Sequence, residues 1–310
     1  MANGIIMHEV GLRDGLQMEK QVVSTAQKIA WAEPLIDSGI DILQLGSFVH
    51  PEKIPQMADT DDLFRHFKSI QKTRPVVVSG LVLNEKGLER GLACGVEMFC
   101  MGVSASETHS RKNTGMSVSE ATDRILRMAR AALEAKKKIQ VSVQSAFGCG
   151  YEGHVPQEEV MKIVRRYLEE GLKNISLADT AGRATPDQVE RMYGTIRTMD
   201  PDVELSCHFH NTYGLALANC YAAMKTGVKS FESSVAGLGG CPFTKIAGGN
   251  VCTEDLVHMW QRMGLRRDIS LEKLIDLACD MSKFFGRELP GTIYRTGPIH
   301  EPGPIPLKDW

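Results

Sequence analysis

The chain has 310 residues, of which 43% are hydrophobic, 6% aromatic and 24% charged. These fractions are typical of a globular protein with a full core and exclude an intrinsically disordered chain. The formal net charge of −2 gives no basic face for nucleic acid. We therefore expect no nucleic-acid partner.

Short apolar runs rich in β-branched residues alternate along the chain with longer segments of helical period. Eight runs predict strands: Ile5–Val10, Asp41–Gly46, Val76–Val82, Val96–Val103, Ile139–Phe147, Asn174–Asp179, Glu204–Phe209 and Ser230–Ala236. Each is followed by a predicted helix, at about 25–38, 59–71, 85–94, 117–136, 156–171, 186–199, 213–226 and 251–263. Ser24, the Ser117–Glu120 capping box and the Thr185-Pro186 pair are start signals for three of these helices.

This regular order predicts an α/β protein whose parallel strands are joined by right-handed crossovers. Eight such units favour a closed (β/α)8 TIM barrel over an open doubly wound sheet with an added C-terminal domain. We predict a single TIM-barrel domain over 1–310, with the barrel at about 4–263. An additional C-terminal helical segment, at about 268–310, would contain the helix Leu271–Phe285 and the proline-rich stretch Pro298–Pro306.

The eight cysteines show no short repeated spacing, which favours buried thiols in a reducing compartment. No run approaches the roughly 18 apolar residues of a membrane span, so no membrane partner is expected. The N-terminus leads directly into a strand without a secretory or organellar leader pattern. We therefore expect a cytoplasmic protein.

Polar residues cluster where the predicted strands end, which is the catalytic face of a TIM barrel. Arg13 and Asp14 follow the first strand. His208 and His210, two residues apart at the end of the seventh strand, project to the same inward face. A glycine-rich loop from Gly237 to Asn250 follows the eighth strand and contains Cys241.

Asp14, His208, His210 and Asn250 form a mixed nitrogen and oxygen set that suits Mg²⁺ or Mn²⁺ better than a closed structural zinc site. Each part also has a simpler explanation. Inward histidines can satisfy a barrel core, an Arg-Asp pair can be a structural ion pair, and a glycine-rich loop can be a turn or bind phosphate. Strands one, seven and eight are neighbours around a closed barrel, so the polar residues that follow them would lie close together. This proximity favours a divalent metal site.

Several segments resemble the 3-hydroxy-3-methylglutaryl-CoA (HMG-CoA) lyase family of the DRE-TIM metallolyases. They are Glu9–Gln17, Ser47–Val49, Pro55–Asp59, Ser176–Thr180, His208–Gly214 and Val235–Asn250, and they occur in the family's order within residues 5 to 290. The cysteine loop is the most discriminating segment. Related Claisen-condensing synthases usually carry a Gly-Glu-Arg-type segment where this chain has Gly240-Cys241-Pro242.

The resemblance implies a metal-dependent carbon–carbon lyase that cleaves an HMG-CoA-like 3-hydroxyacyl-CoA to acetyl-CoA and a keto acid, commonly as a homodimer. The four residues named above would hold the metal, with His208 also catalytic. Arg13 would steady the enolate oxygen, and Asp179 would lie in or next to the metal shell. Cys241 would act in acid–base chemistry on a mobile loop that contains Gly239 and Gly240.

Departures from the family pattern concern the substrate. Gln44 stands where the family has Glu, Ser142 takes the position of a usual tyrosine, and Asn211 replaces a more common Asp. The substrate-binding residues would be Gln17, Gln44, Ser142, Arg111, Lys112, Gly239 and Gly240, with Arg111 and Lys112 serving the phosphates of coenzyme A. We hypothesise that Gln44 shifts specificity without abolishing the chemistry.

Two other functions remain open at this stage. A condensing acyltransferase would run the bond-making reaction, and the Cys241 loop is the feature against it. A catalytically silent binding protein of the same fold is the other alternative, and Gln44 and Ser142 motivate it.

Overall fold

The computed structural model describes residues 4–69, 73–240 and 248–299. Eight parallel strands close into a barrel in sequence order. The strands are β1 (Ile6–Glu9), β2 (Ile42–Ser47), β3 (Val77–Leu81), β4 (Met98–Ser104), β5 (Lys138–Gln144), β6 (Asn174–Asp179), β7 (Glu204–Phe209) and β8 (Ser230–Ser233). The pairing of β1 with β8, from Ile6 opposite Ser230 to Glu9 opposite Ser233, closes the ring. The predicted TIM barrel is confirmed, and an open sheet is excluded.

Helices cover the outside of the barrel. They are α1 (Thr25–Ser38), α2 (Thr60–Ser69), α3 (Glu85–Cys94), α4 (Glu107–Thr114), α5 (Val118–Glu134), α6 (Gln157–Glu169), α7 (Pro186–Met199), α8 (Ala216–Lys225), α9 (Thr253–Arg262), α10 (Leu271–Phe285) and α11 (Ile293–Thr296). Residues 70 and 71 of the helix predicted at 59–71 lie outside the described residues. None of the helices within the described ranges combines the length and hydrophobicity needed to cross a bilayer.

Three helix starts follow the predicted cap signals. Ser24 accepts a hydrogen bond from the backbone of Gln27, and Ser117 with Glu120 forms a complete capping box. Thr185 forms a second box at the start of α7, with a proline at the first helical position. These bonds satisfy backbone N–H groups that have no partner inside the helix.

Within the described residues, two helices were not predicted, α4 and the four-residue α11. The sequence of α4, Glu-Thr-His-Ser-Arg-Lys-Asn-Thr, has no apolar stripe to indicate a helix. The hydroxyl of Ser106, which accepts from the backbone of His109, caps its N-terminus. Gly115, with a φ of +76°, ends it in the left-handed conformation that favours glycine.

The inner wall of the barrel is unusually polar. Large apolar side chains such as Leu43, Phe99 and Phe231 are fully buried on the outer face of the sheet, beneath the helices. Successive strand residues face opposite sides, so the inner face carries small or polar residues. These include His8, Gln44, Ser79, Cys100, Gly102, Gln140, Ser142, Ser176, His208 and Glu232. Branched aliphatic side chains, which usually fill such a barrel, are replaced here by small and polar ones.

The C-terminal helices pack against the barrel's outer layer. Phe284 of α10 meets Trp31 of α1 edge-on, with ring centroids 5.0 Å apart. The indole of Trp31 also donates to Asp280 at 3.1 Å. These contacts attach the additional helical segment to the first helix of the barrel.

Candidate active site

Three possible metal ligands meet at the C-terminal end of the barrel. The Nε2 atoms of His208 and His210 lie 3.0 Å apart. Oδ2 of Asp14 lies 3.9 Å from the first and 3.7 Å from the second. One ligand atom from each residue falls within 4.8 Å of the others, a spacing that can hold a single ion.

A tight π-helical turn, Gly11–Gly15, carries Asp14 over the end of β1. Glu9, the last residue of β1, stabilises this turn by accepting from the backbone N–H of Gly11 at 2.7 Å. The same carboxylate oxygen accepts from the backbone of Val235 at 2.9 Å, which connects β1 to the segment after β8. Burial raises the pKa of Glu9 to about 7, although these hydrogen bonds oppose the rise.

Asn250, the fourth predicted ligand, lies beside Asp14. Its Nδ2 donates to Asp14 Oδ2 at 2.9 Å and to the carbonyl of Leu238 at 3.0 Å. Its Oδ1 is buried and has no hydrogen-bond partner. A bound cation would satisfy this oxygen, which would otherwise carry a desolvation cost. The donor set of one carboxylate, one amide oxygen and two imidazoles therefore fits a divalent ion with open positions.

Gly239 allows Asn250 to take this position. Its φ is +118°, and a Cβ on this residue would lie 2.5 Å from Nδ2 of Asn250. Only glycine meets both requirements without strain. Cys241 and the following residues to 247 lie outside the described residues.

The surroundings of the site keep Asp14 ionised and His210 neutral. Burial alone would raise the pKa of Asp14, but the Arg13 cation and the two imidazoles hold it well below its usual range. Burial, followed by repulsion from His208, lowers the pKa of His210 to about 4. The site therefore presents an ionised carboxylate and a neutral His210, which are the forms that bind metals.

Glu232 is a functional residue that the sequence reasoning missed. Its Oε2 accepts from Nδ1 of His208 at 3.0 Å, and its Oε1 accepts from the hydroxyl of Ser176 at 2.9 Å. Burial works against ionisation of Glu232, but the bond to His208 lowers the pKa of the carboxyl to about 2. The available signal was strand alternation. Glu232 lies two residues from Ser230 and from Ser234, which places it on the inward face of β8.

Gln44 is fully buried and holds Arg13 in place. Nε of Arg13 donates to the amide oxygen of Gln44, and an outer guanidinium nitrogen donates to Asp14. The guanidinium is therefore fixed beside the metal ligands with a neutral partner on one side and an anion on the other.

A cavity of about 430 Å³ opens onto these groups. The predicted residues that line it are Arg13, Asp14, Gln17, Gln44, Ser142, His208, His210 and Gly240. Arg111 and Lys112 do not line it. Arg111 pairs with Glu107 at 3.5 Å, and Lys112 lies over the ring of Tyr151 at 4.8 Å, both on exposed parts of α4.

Other basic side chains take the place expected for Arg111 and Lys112. His50, Lys53 and Arg124 line the cavity, together with Asn113 of α4. Arg111 and Lys112 lie on the exposed side of α4, whereas His109, Asn113 and Thr114 of the same helix line the cavity.

Asp179 is not among the residues that line the cavity. Its two oxygens accept from the backbone N–H groups of Arg183 and Ala184, at 2.8 and 2.9 Å. Burial raises the pKa of this carboxyl to about 6. The contacts assign Asp179 to the β6–α7 turn, beside the metal ligands but not in the cavity.

Comparison with known proteins points to one family. Residues 4–281 match the family model described as HMGL-like. A hydroxymethylglutaryl-CoA lyase of Bacillus subtilis is 37% identical over 286 residues, which are 92% of this chain and 95% of that protein. A 3-hydroxy-3-isohexenylglutaryl-CoA/hydroxymethylglutaryl-CoA lyase of Pseudomonas aeruginosa is 36% identical, covering 86% of this chain and 88% of that protein.

Solved structures agree. An HMG-CoA lyase from A. baumannii, in complex with coenzyme A and 3-methylmalate, superposes with a TM-score of 0.90. It is 35% identical, and the match covers 99% of this chain and all of that one. The barrel and the arrangement around it therefore have close counterparts of known structure.

Proposed function

The chain belongs to the HMGL-like family, and we propose that it is a divalent-metal-dependent lyase that cleaves an HMG-CoA-like 3-hydroxyacyl-CoA to acetyl-CoA and a keto acid. The observation that carries this proposal is the cluster of Asp14, His208 and His210 beside Arg13 in one cavity. These groups provide a cation site and a fixed positive charge next to each other.

The reaction has three requirements. The 3-hydroxyl must lose its proton, the departing carbon must become a stabilised enolate, and that enolate must be protonated. When bound, a Mg²⁺ or Mn²⁺ ion would acidify the 3-hydroxyl and orient it. Asp14, His208, His210 and Asn250 would hold the ion.

Arg13 supplies positive charge where the enolate oxygen develops negative charge. Its contacts with Gln44 and Asp14 fix the guanidinium before substrate binds, so little reorganisation is needed during the reaction. Gln17, which lines the same cavity, is a further polar contact for the acyl group.

His208 has a defined tautomer in this arrangement. Because Glu232 accepts from Nδ1, the lone pair of Nε2 faces the neighbouring ligands. We assign His208 the ligand role, and it contributes to catalysis by holding the ion that would acidify the substrate hydroxyl. Cys241 is our candidate for the group that protonates the enolate, and Gly239 and Gly240 lead into its segment.

Lys53, Arg124 and His50 are the side chains we propose for the phosphates of coenzyme A, since all three line the cavity. The solved relative in complex with coenzyme A supports a thioester ligand. We also propose a cytoplasmic homodimer. All the described cysteines are free thiols, which agrees with a reducing compartment.

Acetyl-CoA release tests the function. Protein stripped with EDTA and resupplied with Mg²⁺ or Mn²⁺ is expected to cleave HMG-CoA, and His208→Ala should abolish this activity. His154→Ala, an exposed histidine, is the matched control and should keep it. Metal binding without cleavage of any thioester would contradict the lyase proposal, and condensation of acetyl-CoA with a keto acid would then be assayed.

A further inference from the structure

The active-site cavity continues into the barrel below the metal ligands. Gln140 and Cys100 line it, and both lie early in their strands, whereas the ligands lie at the strand ends. A parallel strand rises about 3.3 Å per residue, so Gln140 lies ~7 Å below Ser142, which is in register with Ser176 beside Glu232. Part of a ligand can therefore reach the interior of the barrel.

Small side chains keep this inner part open. Ser142 of β5 faces Gly102 of β4 so closely that a Cβ on the glycine would lie 2.0 Å from the serine hydroxyl oxygen. Ser176 and Cys100 continue the same wall. A larger residue at 142 would occupy the space that these four residues leave.

The inner wall has an unused hydrogen-bond donor. Nε2 of Gln140 is buried and without a partner, while its Oε1 accepts from the thiol of Cys100 at 3.4 Å. Gln140 is only 3% exposed, so water does not replace the missing partner freely. A buried amide N–H without an acceptor carries a desolvation cost, which a ligand oxygen would remove.

The charges near this wall favour an uncharged group. Arg13, Lys53 and Arg124, the arginine and lysine side chains among the described residues that line the cavity, come from the strand ends and the surrounding helices. Glu232 contributes a negative charge to this wall, where it accepts from Ser176. A second carboxylate placed beside Glu232 would be repelled, whereas a hydroxyl would accept from Gln140 and donate to a neighbouring oxygen.

We propose that the substrate carries on C3 a substituent that is larger than methyl, uncharged and hydrogen-bonding, such as a hydroxyalkyl group, and that this group binds against Gln140 and Ser142. The inference rests on the proposed lyase function. C3 of such a substrate bears four groups. The hydroxyl and the carboxylate arm belong at the metal ligands, and the coenzyme A arm, whose thioester oxygen faces Arg13, leads to the basic opening. The fourth group is left for the inner wall.

Two synthetic thioesters of equal size test this. 3-Hydroxy-3-(hydroxymethyl)glutaryl-CoA and 3-hydroxy-3-ethylglutaryl-CoA differ only by a hydroxyl in place of a methyl group. We expect kcat/KM at least tenfold higher for the hydroxymethyl compound, because a site built to hydrogen-bond a hydroxyl rejects an analogue that lacks it. HMG-CoA serves as the reference with the smallest substituent.

Binding is measured separately from turnover. Thioether analogues, in which a CH₂ replaces the thioester carbonyl, cannot form the enolate and remain intact on the Mg²⁺-loaded protein. Calorimetry should show the same preference of about tenfold. Gln140→Met removes the donor at similar size and should bring the ratio close to one. Gln157→Met, an exposed glutamine on α6, should leave it unchanged.

The outcomes separate the two proposals. A hydroxymethyl preference in binding and turnover, lost in Gln140→Met, supports both. If the ethyl compound is cleaved as well as or better than the hydroxymethyl compound, this inference is overturned and the lyase proposal is retained. Preferential binding without cleavage overturns the lyase proposal but supports the inner pocket. The absence of both the preference and cleavage overturns both proposals.

Discussion

Glu232 and His208 face each other across the β7–β8 pair, and the carboxylate of Glu232 accepts from Nδ1 of His208 at 3.0 Å. The bond joins two buried side chains 24 positions apart. It fixes the ring of His208 so that Nε2 is directed to His210 and Asp14. The acid of β8 therefore orients the proposed metal ligand on β7.

Replacing this acid should weaken metal binding. Glu232→Gln is expected to reduce Mn²⁺ affinity 10- to 100-fold, because an amide can donate to Nδ1 and stabilise the wrong tautomer. Calorimetric titration of the stripped protein measures the affinity directly. Glu204→Gln, on the exposed start of β7, is the matched control and should bind Mn²⁺ like the wild type. Equal affinity in Glu232→Gln would remove the orienting role.

Gln44→Glu should change specificity. A carboxylate would pair with Arg13 by charge in place of the present amide contact, and it would add negative charge beside the ligands. We expect about a tenfold gain in kcat/KM for HMG-CoA relative to larger 3-substituted thioesters. Gln144→Glu, at the end of β5 in the same cavity, controls for added charge alone. Unchanged ratios in Gln44→Glu would show that this position does not select the substrate.

Gly239→Ala should displace Asn250. The added Cβ would lie 2.5 Å from the Asn250 amide, at a φ of +118° that alanine rarely adopts. We expect a loss of stability of about 1–3 kcal/mol and weaker Mn²⁺ binding. Gly194→Ala, inside α7 where nothing lies within 4 Å of the new Cβ, should instead raise Tm slightly. Normal metal affinity in Gly239→Ala would mean that Asn250 is not a ligand.

Cys241→Ser tests the proposed acid–base role. Serine keeps the size of the side chain but has a far less acidic proton, so kcat should fall by a factor of about 10²–10⁴. Metal affinity and Tm should be unaffected. Cys279→Ser makes the same sulfur-to-oxygen change on α10 and should leave kcat unchanged. Full activity in Cys241→Ser would mean that another group is the proton donor.

Glu254 should make stability depend on pH. Burial raises the pKa of its carboxyl from 4.5 to about 8. The folded protein binds this proton more tightly than the unfolded chain does, so the stabilisation is full below pH 4.5 and is lost as the pH rises to about 8. Glu254→Gln should therefore have a Tm that falls less than the wild-type Tm between pH 5 and pH 9.

Thermal unfolding across this pH range provides the measurement. Glu89→Gln, an exposed glutamate on α3, is the control and should follow the wild type at every pH. Parallel curves for wild type and Glu254→Gln would mean that Glu254 is ionised in the folded protein.

The barrel could be predicted because its strands and helices carry local signals. β6 and β7 begin and end where predicted, since each is an apolar run bounded by polar residues. α4 could not be predicted because it is stabilised by the Ser106 cap and a terminal glycine, not by a hydrophobic face. Arg111 and Lys112 lie on the exposed side of this helix.

Candidate ligands were predictable for a different reason. Asp14, His208 and His210 lie at strand ends, and a closed barrel brings the first and seventh strands within one strand of each other. Glu232 and Gln140 were missed because strand alternation indicates which face a residue occupies but not what it contacts. The partners of a buried polar atom depend on neighbouring strands, which only the three-dimensional structure shows.

Asp14 and Asn250 are hydrogen-bonded across a separation of 236 residues, at the seam where β1 meets β8. A chain leaving the ribosome exposes Asp14 long before Asn250 has been synthesised. No partial barrel can therefore assemble the complete ligand set. An ion that requires all four groups would select only finished barrels, and its binding free energy would add to the barrier against reopening the seam.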